Sequence, residues 1–401
     1  MNKHKVLACV MGDIDLLRPL GMAGIPCAVV TRPRTMPRYS RYTHISLKWN
    51  DPWKKPEKVL EILLQFGQSQ KEKPVLFYEH DALLKIVSKY RDELSRVFRF
   101  VIAETKLIDD ILDKYKFHAL AERVGLPVPK TKLLDANSES DWNNIDLEYP
   151  FIIKPVTRSP ALWDPIAGTA KAVRIDSREE LHKFRGCVAA ADTKFELIAQ
   201  ELVAGPESSI ESYQVYVDIE GEIAGEFTGK KVRTYPVELG HSCSLKISDA
   251  EDLAELGRDL VKKLGLRGVA ELEFKRDPDG RLFLLEINPR FNLWHHLGAV
   301  AGVNLPAMVY ADLAGLPRPA RARARAGVRW CRVWQDLLAS RADGIPLLEW
   351  FNWAKSCEIK RGLAWDDPLP LLFGGIWRTS SNISGYLTSG RIGHKLERIK
   401  Q

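Results

Sequence analysis

The stretch GVAELEFKRDPDGRLFLLEINPR, Gly268 to Arg290, decides the fold. Apolar and polar residues alternate in ELEF and again in RLFLLEIN, the period-2 pattern of two half-buried strands. Asp277-Pro278-Asp279-Gly280 between them is turn chemistry, so the second strand folds back on the first. Glu273 and Glu286 stand thirteen positions apart (286 − 273). A hairpin of that length sets them side by side, with Asn288 one alternation further on.

Two carboxylates that close repel each other, and a shared cation resolves the repulsion. Mg²⁺ takes oxygen ligands, commonly one or two protein carboxylates with the remaining positions left to phosphate and water. Glu273, Glu286 and Asn288 are therefore candidate metal ligands, and Arg290 just beyond them is a cation able to clamp a phosphate held by the same metal. An antiparallel pair with acids on its surface is the plainer alternative for this segment alone.

Hairpin and ligands together resemble the carboxy-terminal metal hairpin of the ATP-grasp superfamily, whose members join a carboxylate to an amine or similar nucleophile through an acyl phosphate. The resemblance extends upstream in order, over about residues 1 to 315. Asp113-Lys114 opens a helix that closes in Gly125-Leu126-Pro127-Val128-Pro129, and in the family this lysine reaches the nucleotide phosphates. Lys154 ends the apolar run YPFIIK; a lysine there snorkels out or meets an anion, and the family places its second ATP lysine at this point. Gln200-Glu201-Leu202-Val203 matches the adenine hinge, with Gln200 where relatives often carry Glu, and Glu207 matches the ribose-binding carboxylate. Where relatives have a glycine-rich flap this chain has RSPALWDPIAGTAKAVRI, with Arg158, Ser159, Thr169 and Lys171 as donors for a lid expected over 156–170. The resemblance implies ATP and Mg²⁺ (with Mn²⁺ as a substitute) as cofactors. Within the superfamily, the layout is similar to the group of carboxylate-amine ligases that includes D-aspartate ligase.

Lys230, Lys231 and Arg233 lie on a strand entering this region. Strict alternation puts Lys231 and Arg233 on one face, where they are candidate catalytic cations for a transferring phosphoryl group, together with Arg290. His295 and His296 are adjacent, point about 100° apart on a helix and cannot chelate one ion together. Core or pocket lining is the reading for both.

The chain has 401 residues, 45% hydrophobic and 28% charged, enough for two or three domains with a sizeable core. The expected fold class is α/β. KVLACVM, PCAVVT, HISLKW and PVLFYE alternate with helical segments, which gives a small parallel-sheet α/β domain over 1–105. A two-subdomain ATP-grasp α+β fold follows over 106–315, its flap subdomain at about 150–205, and then a Trp/Arg-rich C-terminal extension over 316–401 in which no chemistry is legible. No GxGxxG follows the first strand, which leaves a dinucleotide role without support.

Six cysteines without a CxxC pair indicate neither a zinc site nor a disulfide framework. The first apolar run meets Asp13 too early for a signal peptide, and no stretch approaches the roughly 18 apolar residues of a membrane span. A cytoplasmic protein is expected. The net charge of +7 is concentrated in RPARARARAGVRWCR, with arginines at 318, 321, 323, 325, 329 and 332. A solvated linker is the favoured reading there over a landing strip for polyanions. A weak contact with an anionic membrane face and a homo-oligomer are left open, and no specific nucleic-acid partner is expected. Small-molecule or peptide-like carboxylates and amines are the expected substrates of an ATP-dependent ligase. An ATP-binding module without turnover, or phosphoryl transfer to a hydroxyl, is the alternative.

Overall fold

A computed structural model gives the fold and describes residues 6–375, apart from Trp49 and residues 157–159, 169, 171, 192–195 and 238–239. Of the described residues, those up to Phe100, Tyr310–Arg318 and those from Lys360 onward form one compact unit. Val101–Val309 and Pro319–Ile359 form the other.

The first unit is built on four parallel strands, β1 (Ala8–Met11), β2 (Cys27–Val30), β3 (Thr43–Leu47) and β4 (Val75–Tyr78), in the order β3-β2-β1-β4. β1, β2 and β4 are buried throughout, and their unbroken apolar runs are what a sheet covered on both faces requires. Helices Ile14–Met22 and Pro56–Gln68 connect β1 to β2 and β3 to β4, a 3₁₀ turn at Met36–Tyr39 lies between β2 and β3, and helix Asp81–Lys89 follows β4. The chain returns to this unit late: Arg361 Nε lies 2.8 Å from Asp15 Oδ2, and its guanidinium also meets Asp13. Burial and then the Asp13 charge push the nearby Glu79 carboxyl up to about 7.

The second unit holds two sheets. The smaller is antiparallel, in the order β5 (Thr131–Asp135), β8 (Glu196–Glu201), β6 (Phe151–Pro155), β7 (Val173–Ile175). Trp142, Phe151, Trp163, Phe184 and Leu197 form its core. This sheet starts at Thr131, upstream of the expected 150–205 span, because Thr131–Asp135 pairs with the hinge strand β8. Part of the expected lid is helical: Pro160–Ala167 forms a helix whose Trp163 is buried in that core, with Nε1 donating to the Ala170 carbonyl at 2.8 Å. Proline suits the first turn of a helix, where its missing N–H has no partner to lose. Arg158, Ser159, Thr169 and Lys171 lie outside the described residues.

The larger sheet runs β13 (Leu282–Asn288), β12 (Gly268–Arg276), β9 (Ile210–Val217), β10 (Ile223–Tyr235), β11 (His241–Ser248), β14 (Arg329–Cys331), β15 (Ile359–Lys360). Helix Glu251–Leu264 covers one face, with its glycine at 257 against the Tyr213 ring. Helix Trp294–Val300 covers part of the other, and helix Leu305–Ala314 follows it in the chain. Gly229 makes room for the first, since a Cβ there would stand 2.4 Å from the Trp294 ring. Among the described residues no single helix is long and apolar enough to cross a membrane; these last two pass on composition only as a pair, bent by 89°.

His295, on the first of that pair, is fully buried, and among the described residues neither ring nitrogen has a hydrogen-bond partner. Burial lowers its pKa to about 3. The folded chain therefore holds His295 neutral, while the unfolded chain takes up a proton below its ordinary value near 6.5. The contribution to stability is full above that value and is lost as pH falls toward 3, at about 1.4 kcal/mol per pH unit. His295→Leu should narrow the gap in denaturant midpoint between pH 7.5 and pH 4.5; an unchanged gap would show that His295 does not cause it.

The tail expected as a single extension from 316 is divided between the two units. Residues 319–359 add strand β14 to the edge of β11, with Leu245 opposite Trp330, and so extend the larger sheet. Arg318, Arg321 and Arg323 meet Asp312, Glu226 and Asp249 respectively.

Candidate functional site

The hairpin forms as its sequence indicates. Gly280 N donates to the Asp277 carbonyl at 3.0 Å, and Asp277 N to Arg281 at 2.9 Å, closing the turn. Glu273 stands opposite Glu286, and Glu271 opposite Asn288. An extra residue on β13, Leu285, provides the bulge that keeps this register. Directly opposed residues have Cβ atoms about 4.5–5.5 Å apart, so both carboxylates reach one point on the same face.

Lys231 comes to this face from β10. Its ammonium lies 2.8 Å from Glu273 Oε2, with the two side chains only 4% and 14% exposed. Burial alone would lower the Lys231 pKa, but Glu273, then Glu271 and Glu207, outweigh it and raise the value. Glu207, in a short 3₁₀ turn after Pro206, thus contributes to the same field. Arg290 Nη2 donates to Asn288 Oδ1 at 3.1 Å.

Sequence reasoning missed the layer beneath. Glu271 is buried, accepts from Ser212 Oγ at 2.9 Å and from the Nδ2 atoms of Asn288 and Asn292 at 3.3 Å each. Burial and then the Glu273 charge push its pKa up, against the pull of Lys231, Ser212 and Arg290. Its alternation with Glu273 on β12 was the available signal.

Arg233 is not delivered to this face with Lys231. β10 carries an extra residue at Val232, where Lys231 and Arg233 oppose the successive residues Leu245 and Ser244, so strict alternation fails across these positions. The Arg233 guanidinium is instead held by Asp336, Nε to Oδ1 at 2.7 Å and Nη2 to Oδ2 at 3.0 Å.

A second cluster gathers on the smaller sheet. Asp113 caps helix Lys114–Val124 by accepting from the N–H groups of Tyr115 and Lys116, and Gly125 ends it in the left-handed conformation. Lys114, in the first turn, donates to the Pro155 carbonyl. Lys154 donates to Gln200 Oε1 at 2.8 Å. A neutral amide does not cancel the ammonium charge, as a glutamate there would. Thr131 Oγ1 accepts from Gln200 Nε2 at 2.9 Å, and His118 Nε2 lies 3.4 Å from the same atom. Burial, then the Lys154 charge, lowers the His118 pKa to about 4, so this ring is neutral at pH 7. The hinge residues follow directly: Glu201 N donates to Lys130 O at 2.9 Å, and beyond it Leu202 is half-buried and Val203 buried. Two contacts within the unit join these parts to the hairpin. Leu284 N donates to the Pro127 carbonyl at 2.6 Å, and a Cβ on Gly205 would stand 3.5 Å from the Arg276 carbonyl.

Among the described residues no three His, Cys, Asp or Glu side chains converge to hold a metal unaided. That suits Mg²⁺, which draws the rest of its octahedron from phosphate and water. Paired carboxylates and an amide oxygen are an oxygen-rich donor set of the kind a hard cation takes, and the Lys231 ammonium seated against Glu273 offsets part of their negative charge.

A small parallel-sheet unit, one sheet bearing lysines and another bearing paired carboxylates make up a mixed α/β architecture. Residues 194–334 match the family model described as "ATP-grasp in the biosynthetic pathway with Ter operon". Over that segment the chain is similar to an ATP-grasp domain. It is 24% identical over 265 residues to the D-aspartate ligase of Enterococcus faecium, covering 64% of this chain and 62% of that protein. To D-alanine–D-alanine ligase B of Chromobacterium violaceum it is 26% identical over 206 residues, covering 50% of this chain and 65% of the other. It thus spans a little under two thirds of the length of these curated relatives. In fold it is similar to N5-carboxyaminoimidazole synthetase from Staphylococcus aureus, with TM-score 0.63 and 15% identity over 86% of this chain and 87% of that one.

Proposed function

We propose that the chain is an ATP-dependent ligase that activates a carboxylate as an acyl phosphate for attack by an amine. The observation that carries this reading is Glu273 paired in register with Glu286, with Lys231 bonded to Glu273 and Asn288 beside them. In this reading Glu273, Glu286 and Asn288 hold Mg²⁺, which when bound would neutralise phosphate charge and orient the β- and γ-phosphates. Lys114 and Lys154 bind the nucleotide phosphates, residues 200–203 the adenine edge and Glu207 the ribose. Lys231 and Arg290 carry the charge that develops on the transferring group.

The chemistry balances in two steps. A substrate carboxylate oxygen attacks the γ-phosphorus, the bond to the β-phosphate oxygen breaks and ADP leaves. The amine nitrogen then attacks the acyl carbon, phosphate leaves, and the amine gives up a proton as the amide forms. Because both relatives named above are amino-acid ligases by name, we take at least one of the two substrates to be an amino acid.

The test is phosphate release across a panel of D- and L-amino acids and other carboxylates, with hydroxylamine present in parallel. A hydroxamate together with stoichiometric phosphate supports the acyl phosphate. Phosphoryl transfer without a hydroxamate would point to a hydroxyl acceptor, and nucleotide binding with no turnover anywhere in the panel would leave a binding module.

A further inference from the structure

Glu271 shares its face of the sheet with Glu273, two residues away, but is buried and hydrogen-bonded to neutral polar groups. A carboxylate only accepts hydrogen bonds, so it can hold Asn288 and Asn292 only by their NH₂ groups. Both bonds are present at 3.3 Å, on Oε2, while Oε1 takes the Ser212 hydroxyl. The rest of the network has one consistent direction. Gln214 Nε2 donates to Ser212 Oγ at 2.7 Å, Asn292 Nδ2 donates to Gln214 Oε1 at 3.0 Å, and Asn292 Oδ1 accepts from Trp294 N at 2.9 Å. Each amide in this network has one orientation in which all of these bonds are made, and Glu271 is the anion on which they converge.

Asn288 has one atom able to bind a hard cation, Oδ1. With Nδ2 turned to Glu271, that oxygen is turned away from it, to where Arg290 Nη2 donates at 3.1 Å. A flipped amide would set Oδ1 against the Glu271 carboxylate, acceptor against acceptor, and offer NH₂ to the cation.

We infer that Glu271 is a positioning residue: it fixes the amide orientation of Asn288 so that Oδ1 is presented beside Glu273 and Glu286. This rests on the metal assignment of the ligase reading. Partners that orient metal ligands typically change metal affinity by about 10–100-fold when removed.

The experiment is calorimetric titration of Mg²⁺ into the full chain saturated with a non-hydrolysable ATP analogue, alongside binding of the analogue in EDTA. Glu271→Met, apolar and of similar length, should weaken Mg²⁺ by about 10–100-fold and leave metal-free analogue binding unchanged. Glu271→Gln keeps an acceptor oxygen for the two asparagine NH₂ groups and should remain within about threefold of the wild type. Asn288→Ala should lose affinity by itself, and adding Glu271→Met to it should cost nothing further, because an indirect role has no route left. Should Glu271→Met not fold, Glu271→Ala carries the same comparison. Unchanged Mg²⁺ affinity in the Met or Ala variant, or a loss that persists in full on the Asn288→Ala background, would overturn the inference while the metal site itself stands. Analogue binding by the wild type with no dependence on Mg²⁺ would remove the metal assignment, and this inference with it.

Discussion

Glu286→Ala retains a folded protein and loses Mg²⁺-dependent phosphate release by about a hundred- to a thousand-fold, equivalent to roughly 3–4 kcal/mol of transition-state stabilisation. Glu286 is exposed on β13, the edge strand of the larger sheet, and stands opposite another carboxylate. Its removal opens no cavity and relieves a like-charge pair, so the thermal midpoint should hold or rise slightly. Loss of turnover with stability retained marks a residue kept for its chemistry. The neighbouring substitution Glu273→Ala would be ambiguous, because it strands the buried Lys231 ammonium and confuses loss of chemistry with loss of fold. Turnover of Glu286→Ala within a few-fold of the wild type, at the same Mg²⁺ requirement, would reject the metal assignment.

What the sequence disclosed depended on whether the cause was local. The hairpin was legible because its turn residues and alternation lie within twenty-three consecutive positions, 268 to 290. The Lys114 helix was legible from its cap and its glycine stop, although it is broken from helix Thr105–Leu112 at Asp113. Arg233 was assigned to the wrong neighbours because alternation assumes an unbroken ladder, and the extra residue at Val232 leaves no mark in the sequence. His118 and Thr131 meet Gln200 only because β5 and the hinge strand pair across about seventy residues. Glu271 lay in plain view, but a strand glutamate beside a better candidate gives no sign of being buried. The tail was opaque for the same reason as Arg233: its use is set by a partner 103 positions away.

That partner gives the largest stability effect. Asp336→Ala should destabilise the chain by about 3–5 kcal/mol, read as a lowered denaturant midpoint at constant slope. Asp336 is fully buried, binds Arg233 through both oxygens and also accepts from Trp350 Nε1 at 3.0 Å, while the Arg233 guanidinium lies 5.2 Å from the centre of the Trp353 ring. Removing the carboxylate leaves a buried cation and a buried indole N–H without it, whereas an exposed pair would cost at most about 1 kcal/mol. Charge and space can be separated by making Arg233→Met and Asp336→Leu together, which removes both ions and should recover most of the loss. The double variant also decides between two roles for Arg233. If its guanidinium serves only to lock helix Val333–Ala342 onto β10, the stable double variant keeps nucleotide binding and turnover. If it must swing from Asp336 to a transferring phosphate, the same variant is stable and inactive. A cost below about 1 kcal/mol for Asp336→Ala would reject the buried pair itself, and residues 319–359 would then be separable from the sheet they extend.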